Sequence, residues 1–214
     1  MRKILLISPH FDDAVLSAGQ LMAGRPNVDV ITVFGGAPKP KQKTPYDIKC
    51  GFDNSTIANY ARKIEDINAL KILKANPIHL DFIDGQYRDN ELDSFMFEDL
   101  EDILLKQIEE NNYEFIIAPL GIGHPDHLFV SDVVRTINKK IIETVYLWED
   151  LPLRVIEPEL VFDNLTQNPH KELAFLGDGP VELKLKALDC YSSQIGTGIL
   201  EKNSICVPER FWRI

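Results

Sequence analysis

The sequence predicts an α/β protein: a Rossmann-like three-layer sandwich with a mostly parallel sheet and its active site at the carboxyl ends of the strands. Three observations predict it. Continuous apolar runs such as "KILLIS" (Lys3 to Ser8) fit strands buried on both faces. Stretches with apolar residues at helical spacing alternate with those runs. The two densest polar clusters, Pro9 to Asp13 and Gly121 to His127, each lie just past such a run, which is where open α/β sheets bind ligands.

Each element follows in order. After Lys3 to Ser8, the spacing of Val15, Leu16, Ala18, Leu21 and Met22 predicts a helix over Asp13 to Ala23, ending near Gly24 and Pro26. "VDVITVF" (Val28 to Phe34) is a second strand and completes a βαβ unit, for which a right-handed crossover is expected. Gly35 to Asn54 is a polar segment with three prolines and with Lys39, Lys41 and Lys43. A loop of that length is usually functional or mobile, so a lid or substrate-facing loop is one reading and a solvated loop the other. Ser55 to Ala75 reads as a long helix capped by Asn54 or Ser55. Strands are then expected at Ile78 to Asp84, Glu114 to Leu120, Ile142 to Trp148 and Glu159 to Phe162. Helices are expected at Ser94 to Asn111, Leu128 to Lys140 and Val181 to Gln194. Residues 1–214 read as a single domain.

Composition narrows the partners. A formal net charge of -10 argues against nucleic acid or an anionic membrane surface, because phosphate binding needs clustered positive charge. Apolar runs are too short to span a bilayer, and "MRKILLIS" is cut short by Pro, His and Asp before it could serve as a signal peptide. Cys50, Cys190 and Cys206 are odd in number and scattered, which fits free thiols in a reducing cytoplasm. A cytoplasmic location is therefore expected. Self-association into a homo-oligomer stays open.

The chemistry lies in "PHFDD" and "GHPDH". His10 and Asp13 are three apart and can converge on one point, while Asp12 projects elsewhere. His124 and His127 are also three apart, with Asp126 between them, and one of these imidazoles can join His10 and Asp13. Two His, one Asp and open positions describe a catalytic Zn2+ site rather than a structural one; Fe2+ or another divalent metal suits the same ligands. Such an ion acidifies a water and polarises a carbonyl. Asp12 is then free as general base, and an imidazole across the site, His124, can stabilise an oxyanion or protonate a leaving amine. Asp126 can orient one of the histidines. The bland alternative makes Asp12, Asp13 and Asp126 mere helix N-terminal carboxylates. Either cluster alone would fit it; both together, each at a strand end, favour the metal. Receiver domains lack the HxxH cluster, aspartate-nucleophile phosphatases place their carboxylates two apart, and "SPHFDD" supplies no G-x-G-x-x-G.

These residues resemble a known family. "SPHFDDAVLSAG" is similar to the P-H-P-D-D-E signature of the PIG-L/LmbE-like zinc-dependent N-deacetylases, and "GHPDH" to their H-P-D-H. "RKIED", "WEDLP" and "KALDCYSSQ" resemble further segments of that family, in the same order. The resemblance implies removal of an N-acetyl group from an amino sugar or its glycoside. It implies His10, Asp13 and His127 as metal ligands, Asp12 as base, and His124 as acid or oxyanion stabiliser tuned by Asp126. It matches Arg62 to a substrate-contacting arginine, against an ion pair with Glu65 or Asp66. Phe11 replaces the family's second Pro and Ala14 its Glu, which points to Phe11 as a substrate-facing difference. The pattern is closest to deacetylases of antibiotics and other secondary metabolites. Glu149 and Asp150 are expected either to contact sugar hydroxyls or to end a strand. The alternatives are hydrolysis of a non-sugar amide, or a sugar- or nucleotide-binding protein without turnover.

Overall fold

The computed structural model describes residues 3–89, 92–168, 170, 172–195 and 205–214. Strand β1 (Lys3–Ser8) leads through α1 (Asp13–Gly24) to β2 (Val28–Thr32). Next come the short α2 (Pro45–Lys49), the long α3 (Ser55–Ile72) and β3 (Ala75–His79). A 3₁₀ turn at Gly85–Tyr87 precedes α4 (Ser94–Glu109), β4 (Tyr113–Pro119), α5 (Pro125–Ile137) and β5 (Thr144–Trp148). The remainder holds α6 (Leu153–Ile156), α7 (Pro158–Gln167), β6 (Glu172–Ala174), α8 (Val181–Leu188), α9 (Ser192–Ile195) and β7 (Phe211–Arg213).

The seven strands form one sheet in the order β3-β2-β1-β4-β5-β7-β6. β1 to β5 are parallel; β7 runs antiparallel to both β5 and β6. Alternate residues of β1 serve opposite faces. Ile4 and Leu6 join the core beneath α1, α3 and α8, while Leu5 and Ile7 join the core beneath α4 and α5. A strand covered on both sides has no polar face, which is why the run reads as uninterrupted. The predicted three layers are therefore present. The strand order reverses on either side of β1, so the chain leaves β1 and β4 in opposite directions and opens a crevice above their carboxyl ends.

Several expectations are corrected. Glu159 to Phe162 lies inside helix α7, not in a strand. Pro158 and Glu159 suit a helix's first turn, and the apolar run Leu160 to Phe162 was too short to show its period. β3 starts earlier than expected, because Lys74 turns the chain sharply with φ 55° directly after α3; past His79 only isolated bridges at Asp81 and Ile83 continue the pairing. The helix expected over Val181 to Gln194 breaks into α8 and α9. The Gly35 to Asn54 segment contains α2, whose N-cap Thr44 forms a reciprocal capping box with Asp47.

Candidate metal centre and active site

The turn after β1 is fastened before any ligand enters. Ser8 Oγ donates to the His10 carbonyl at 2.6 Å and accepts from the Ala14 N–H at 3.0 Å. Asp13 Oδ2 accepts the His10 N–H at 2.8 Å. His10 therefore meets Asp13 through this tied turn, just ahead of α1, which begins at Asp13 as its apolar spacing predicted. Asp12 sits at the N-cap, yet its side chain caps nothing and accepts no hydrogen bond from another described residue. Capping is thus not its role.

The second cluster is built by the turn after β4. Gly121 has φ 82°, and a Cβ there would lie 2.7 Å from Ser131 Cβ, so glycine is required. His124 caps α5: its Nδ1 accepts the Asp126 N–H at 3.2 Å. In the neutral ring the remaining proton is then on Nε2, which makes that nitrogen a donor.

Each of the other two imidazoles has one nitrogen bound to a carboxylate on the outer side. His127 Nδ1 lies 2.7 Å from Asp150 Oδ1, and His10 Nε2 lies 3.0 Å from Asp126 Oδ2. Their inner nitrogens, His127 Nε2 and His10 Nδ1, each lie 3.2 Å from Asp13 Oδ2. Three candidate ligand atoms thus converge: with protonated rings they are hydrogen-bonded, and with neutral rings they present electron pairs to one point. A divalent cation fits this donor set, with carboxylates behind both histidines to fix their rings. A second grouping of His10, His124 and Asp126 also comes together. It suits an ion less well, because Asp126 is already taken up by His10, the Gly85 N–H at 3.0 Å and the Arg88 guanidinium.

Electrostatics follow from the same contacts. Burial opposes charge on His127, yet Asp13 and Asp150 outweigh it and push its pKa up to about 10. Burial and the neighbouring Asp13 push Asp12 up to about 7, against the pull of His10 and Arg62. A cation bound beside Asp13 would lower it again. His124 is held below the ordinary imidazole value by burial and by the charges of His10 and His127.

A cavity of about 320 Å³ opens beside the cluster. Asp12, His10 and His124 line one side, and Phe11, Phe34, Tyr46, Tyr87 and Tyr191 give it an aromatic wall. Arg62 also lines it, stacked over the Tyr46 and Phe52 rings at 4.9 and 5.4 Å. Its ion partner is Asp47, at 3.5 Å, not Glu65 or Asp66 as the alternative expected. Lys39, Lys41 and Lys43 are exposed and lie outside the cavity lining, whereas Tyr46 of the same segment reaches in.

Glu149 is a correction. It is 3% exposed, receives Arg154 Nη1 and Trp212 Nε1 at 3.0 Å each, and does not line the cavity. It closes the junction of β5 and β7 rather than facing a substrate. Asp150 likewise supports His127 and accepts the Gly121 N–H at 3.0 Å instead of meeting a sugar. Asp126 acts on His10 through its carboxylate and on His124 only through its backbone N–H. Arg88, Asp47 and Tyr191 were not singled out; Tyr191 stands in "KALDCYSSQ", whose resemblance was the signal that could have found it, whereas Arg88 and Asp47 lie in no quoted motif.

Fold and site together define a class: doubly wound α/β proteins with a His–Asp–His cluster at the topological switch point. The chain belongs to the PIG-L family, since the family profile described as "PIG-L: GlcNAc-PI de-N-acetylase" matches residues 5–138. No curated protein matches it. Among solved structures, the zinc-inhibited form of teicoplanin deacetylase Orf2 is 26% identical, with TM-score 0.80 over 99% of this chain and 97% of that one. The A40926 pseudoaglycone deacetylase Dbv21 is also 26% identical, with TM-score 0.76 over 99% and 96%. The 4-carboxy-2-hydroxymuconate hydratase GalB from Pseudomonas putida KT2440 shares the fold at 16% identity, with TM-score 0.63 over 100% and 95%.

Proposed function

We propose that this chain is a divalent-metal-dependent hydrolase that removes the N-acetyl group from an amino sugar carried on a glycoside. One observation carries the reading: the Asp12 carboxylate accepts no hydrogen bond from another described residue, beside three convergent candidate ligand atoms and within a cavity that His124 also lines. The family description and the two deacetylases at 26% identity support it.

His10, Asp13 and His127 would hold the ion, Zn2+ or Fe2+ or another divalent metal. Once bound it supplies Lewis-acid polarisation of the acetyl carbonyl and lowers the pKa of water. The rest falls to the chain. Asp12 takes the proton of the attacking water at its free carboxylate. His124 Nε2–H donates to the oxygen that gains charge. The C–N bond then breaks, and the proton taken by Asp12 passes to the leaving amine, so amide and water give acetate and a free amino sugar. The aromatic wall, with Phe11 in it, packs the apolar face of the sugar, and Arg62 binds its polar substituents. The three unpaired cysteines support a reducing, cytoplasmic setting.

The test is acetate release by the metal-loaded protein from 4-nitrophenyl N-acetyl-β-glucosaminide and related glycosides, alongside simple acyl amides. Release from the glycosides, lost in Asp12→Asn, is the expected result. Turnover of acyl amides alone would move the substrate away from sugars. Binding of acetylated sugars without any acetate release would overturn the enzymatic reading.

A further inference from the structure

A ring of contacts around Phe11 is used by none of these roles. The Tyr191 hydroxyl, 1% exposed as a residue, lies 2.9 Å from the Phe11 carbonyl oxygen and 2.8 Å from Asp66 Oδ1. Asp66 is equally buried, and its other oxygen lies 2.7 Å from His79 Nε2. The His79 ring meets the Phe11 ring edge-on at 5.3 Å. The β1–α1 turn, α3, the end of β3 and the residue before α9 thus close on one residue, the one that separates His10 from Asp12.

Counting protons gives the ring a direction. A phenol has one proton, and a carbonyl only accepts. If Tyr191 gave its proton to Asp66, the contact with the Phe11 carbonyl would oppose two lone pairs in a buried setting, which is costly. Both contacts are satisfied when Asp66 holds a proton toward Tyr191, Tyr191 donates to Phe11, and the His79 N–H donates to the other carboxyl oxygen. Burial pushes the Asp66 carboxyl up, in the same sense. The Phe11 carbonyl belongs to the peptide unit whose nitrogen is that of Asp12, so holding it holds the Asp12 N–Cα bond from which its side chain is hung.

We propose that Tyr191, held by Asp66 and His79, is a positioning residue that aims Asp12 through the Phe11 carbonyl. The catalytic half of this rests on the base role proposed for Asp12; the structural half does not.

Hydrogen exchange and turnover test the halves separately. Tyr191→Phe removes only the hydroxyl. Amide exchange in a peptide spanning residues 7–16 is expected to quicken about tenfold, with β4 and α5 unchanged, as for a local opening. With 4-nitrophenyl N-acetyl-β-glucosaminide, kcat is expected to fall about 10- to 100-fold with KM nearly constant. Asp66→Ala should do the same. Asp66→Asn can still accept from His79 and donate to Tyr191, so it should recover at least about tenfold of what alanine loses. Unchanged exchange at residues 7–16 overturns the proposal, as does equal quickening along the whole chain. A rise in KM without loss of kcat would make Tyr191 a substrate contact instead. Full turnover in Asp12→Asn would remove the base role alone, and the exchange result would still decide the link to Phe11. Asp66→Ala carries the same outcomes if Tyr191→Phe does not fold.

Discussion

Two of the buried charged groups among the described residues differ in the balance of donors and acceptors. In the first, Glu209 is surrounded by donors: the N–H groups of Gln20 and Leu21, at 2.8 and 3.0 Å, and Lys184 Nζ at 2.8 Å. Helix α1 departs from helical geometry at Ala18, φ -138° and ψ 22°, and Glu209 takes up the two N–H groups just beyond. Gly19 leaves room for the lysine stem, since a Cβ there would lie 2.7 Å from Lys184 Cγ. In the second, at the carboxyl ends of the strands, the inner nitrogens of His10 and His127 meet one oxygen of Asp13, and the Asp12 carboxylate accepts no hydrogen bond from another described residue. The first group is completed by the chain itself. The second becomes a set of metal-ligating atoms once its imidazoles give up their protons, and a cation then takes the place of those protons. Burial does not mark a site; unmatched acceptors do.

Substitutions can break this contrast. The largest effect is expected from Asp13→Ala, which removes the oxygen that both inner nitrogens share. Elemental analysis should fall from about one divalent ion per chain to background, with activity lost. Full occupancy in this variant would sink the ligand assignment. Asp12→Asn should leave the metal in place and lower turnover by about 10²- to 10⁴-fold. If metal content fell instead, Asp12 would be a ligand and not a base.

On the completed side, Glu209→Ala strands a buried lysine and should cost about 3–5 kcal/mol of stability, read by denaturant unfolding. Replacing both members, by Glu209→Gln with Lys184→Met, should cost far less, because no unpaired charge stays behind. Equal losses in the single and double variants would mean that the ion pair is not what matters there. The smallest effect sharpens the boundary between the groups. Asp150→Asn keeps the shape but weakens the carboxylate behind His127, so metal affinity should drop about 10- to 100-fold in a chelator titration. No change would make Asp150 purely a support for the Gly121 turn.

Much of this was legible in the sequence. The buried parallel strands announced themselves as apolar runs, and the HxxD and HxxH spacings put the ligands at strand ends. The C-terminal part was not legible. β6 and β7 are three residues long, too short for a period, and α7 shows the same ambiguity. Glu149 and Asp150 are neighbours in "WEDLP", yet one closes a strand junction and the other supports His127. Adjacent residues at a strand end point in different directions, and nothing in the local pattern says which of them faces the site.

By itself, then, the sequence determined the layer architecture and pointed to the candidate ligand residues, because periodicity and motif spacing are local properties. Which imidazole nitrogen faces inward, which carboxylate stays unbonded, and which distant groups hold Phe11 were decided by tertiary structure alone. Those outcomes depend on Asp150, Asp126, Arg88 and Tyr191, brought by separate elements to one edge of the sheet. Asp126, Asp150 and Tyr191 stand in motifs the sequence shows, but which groups they bond is settled only when folding brings those elements together.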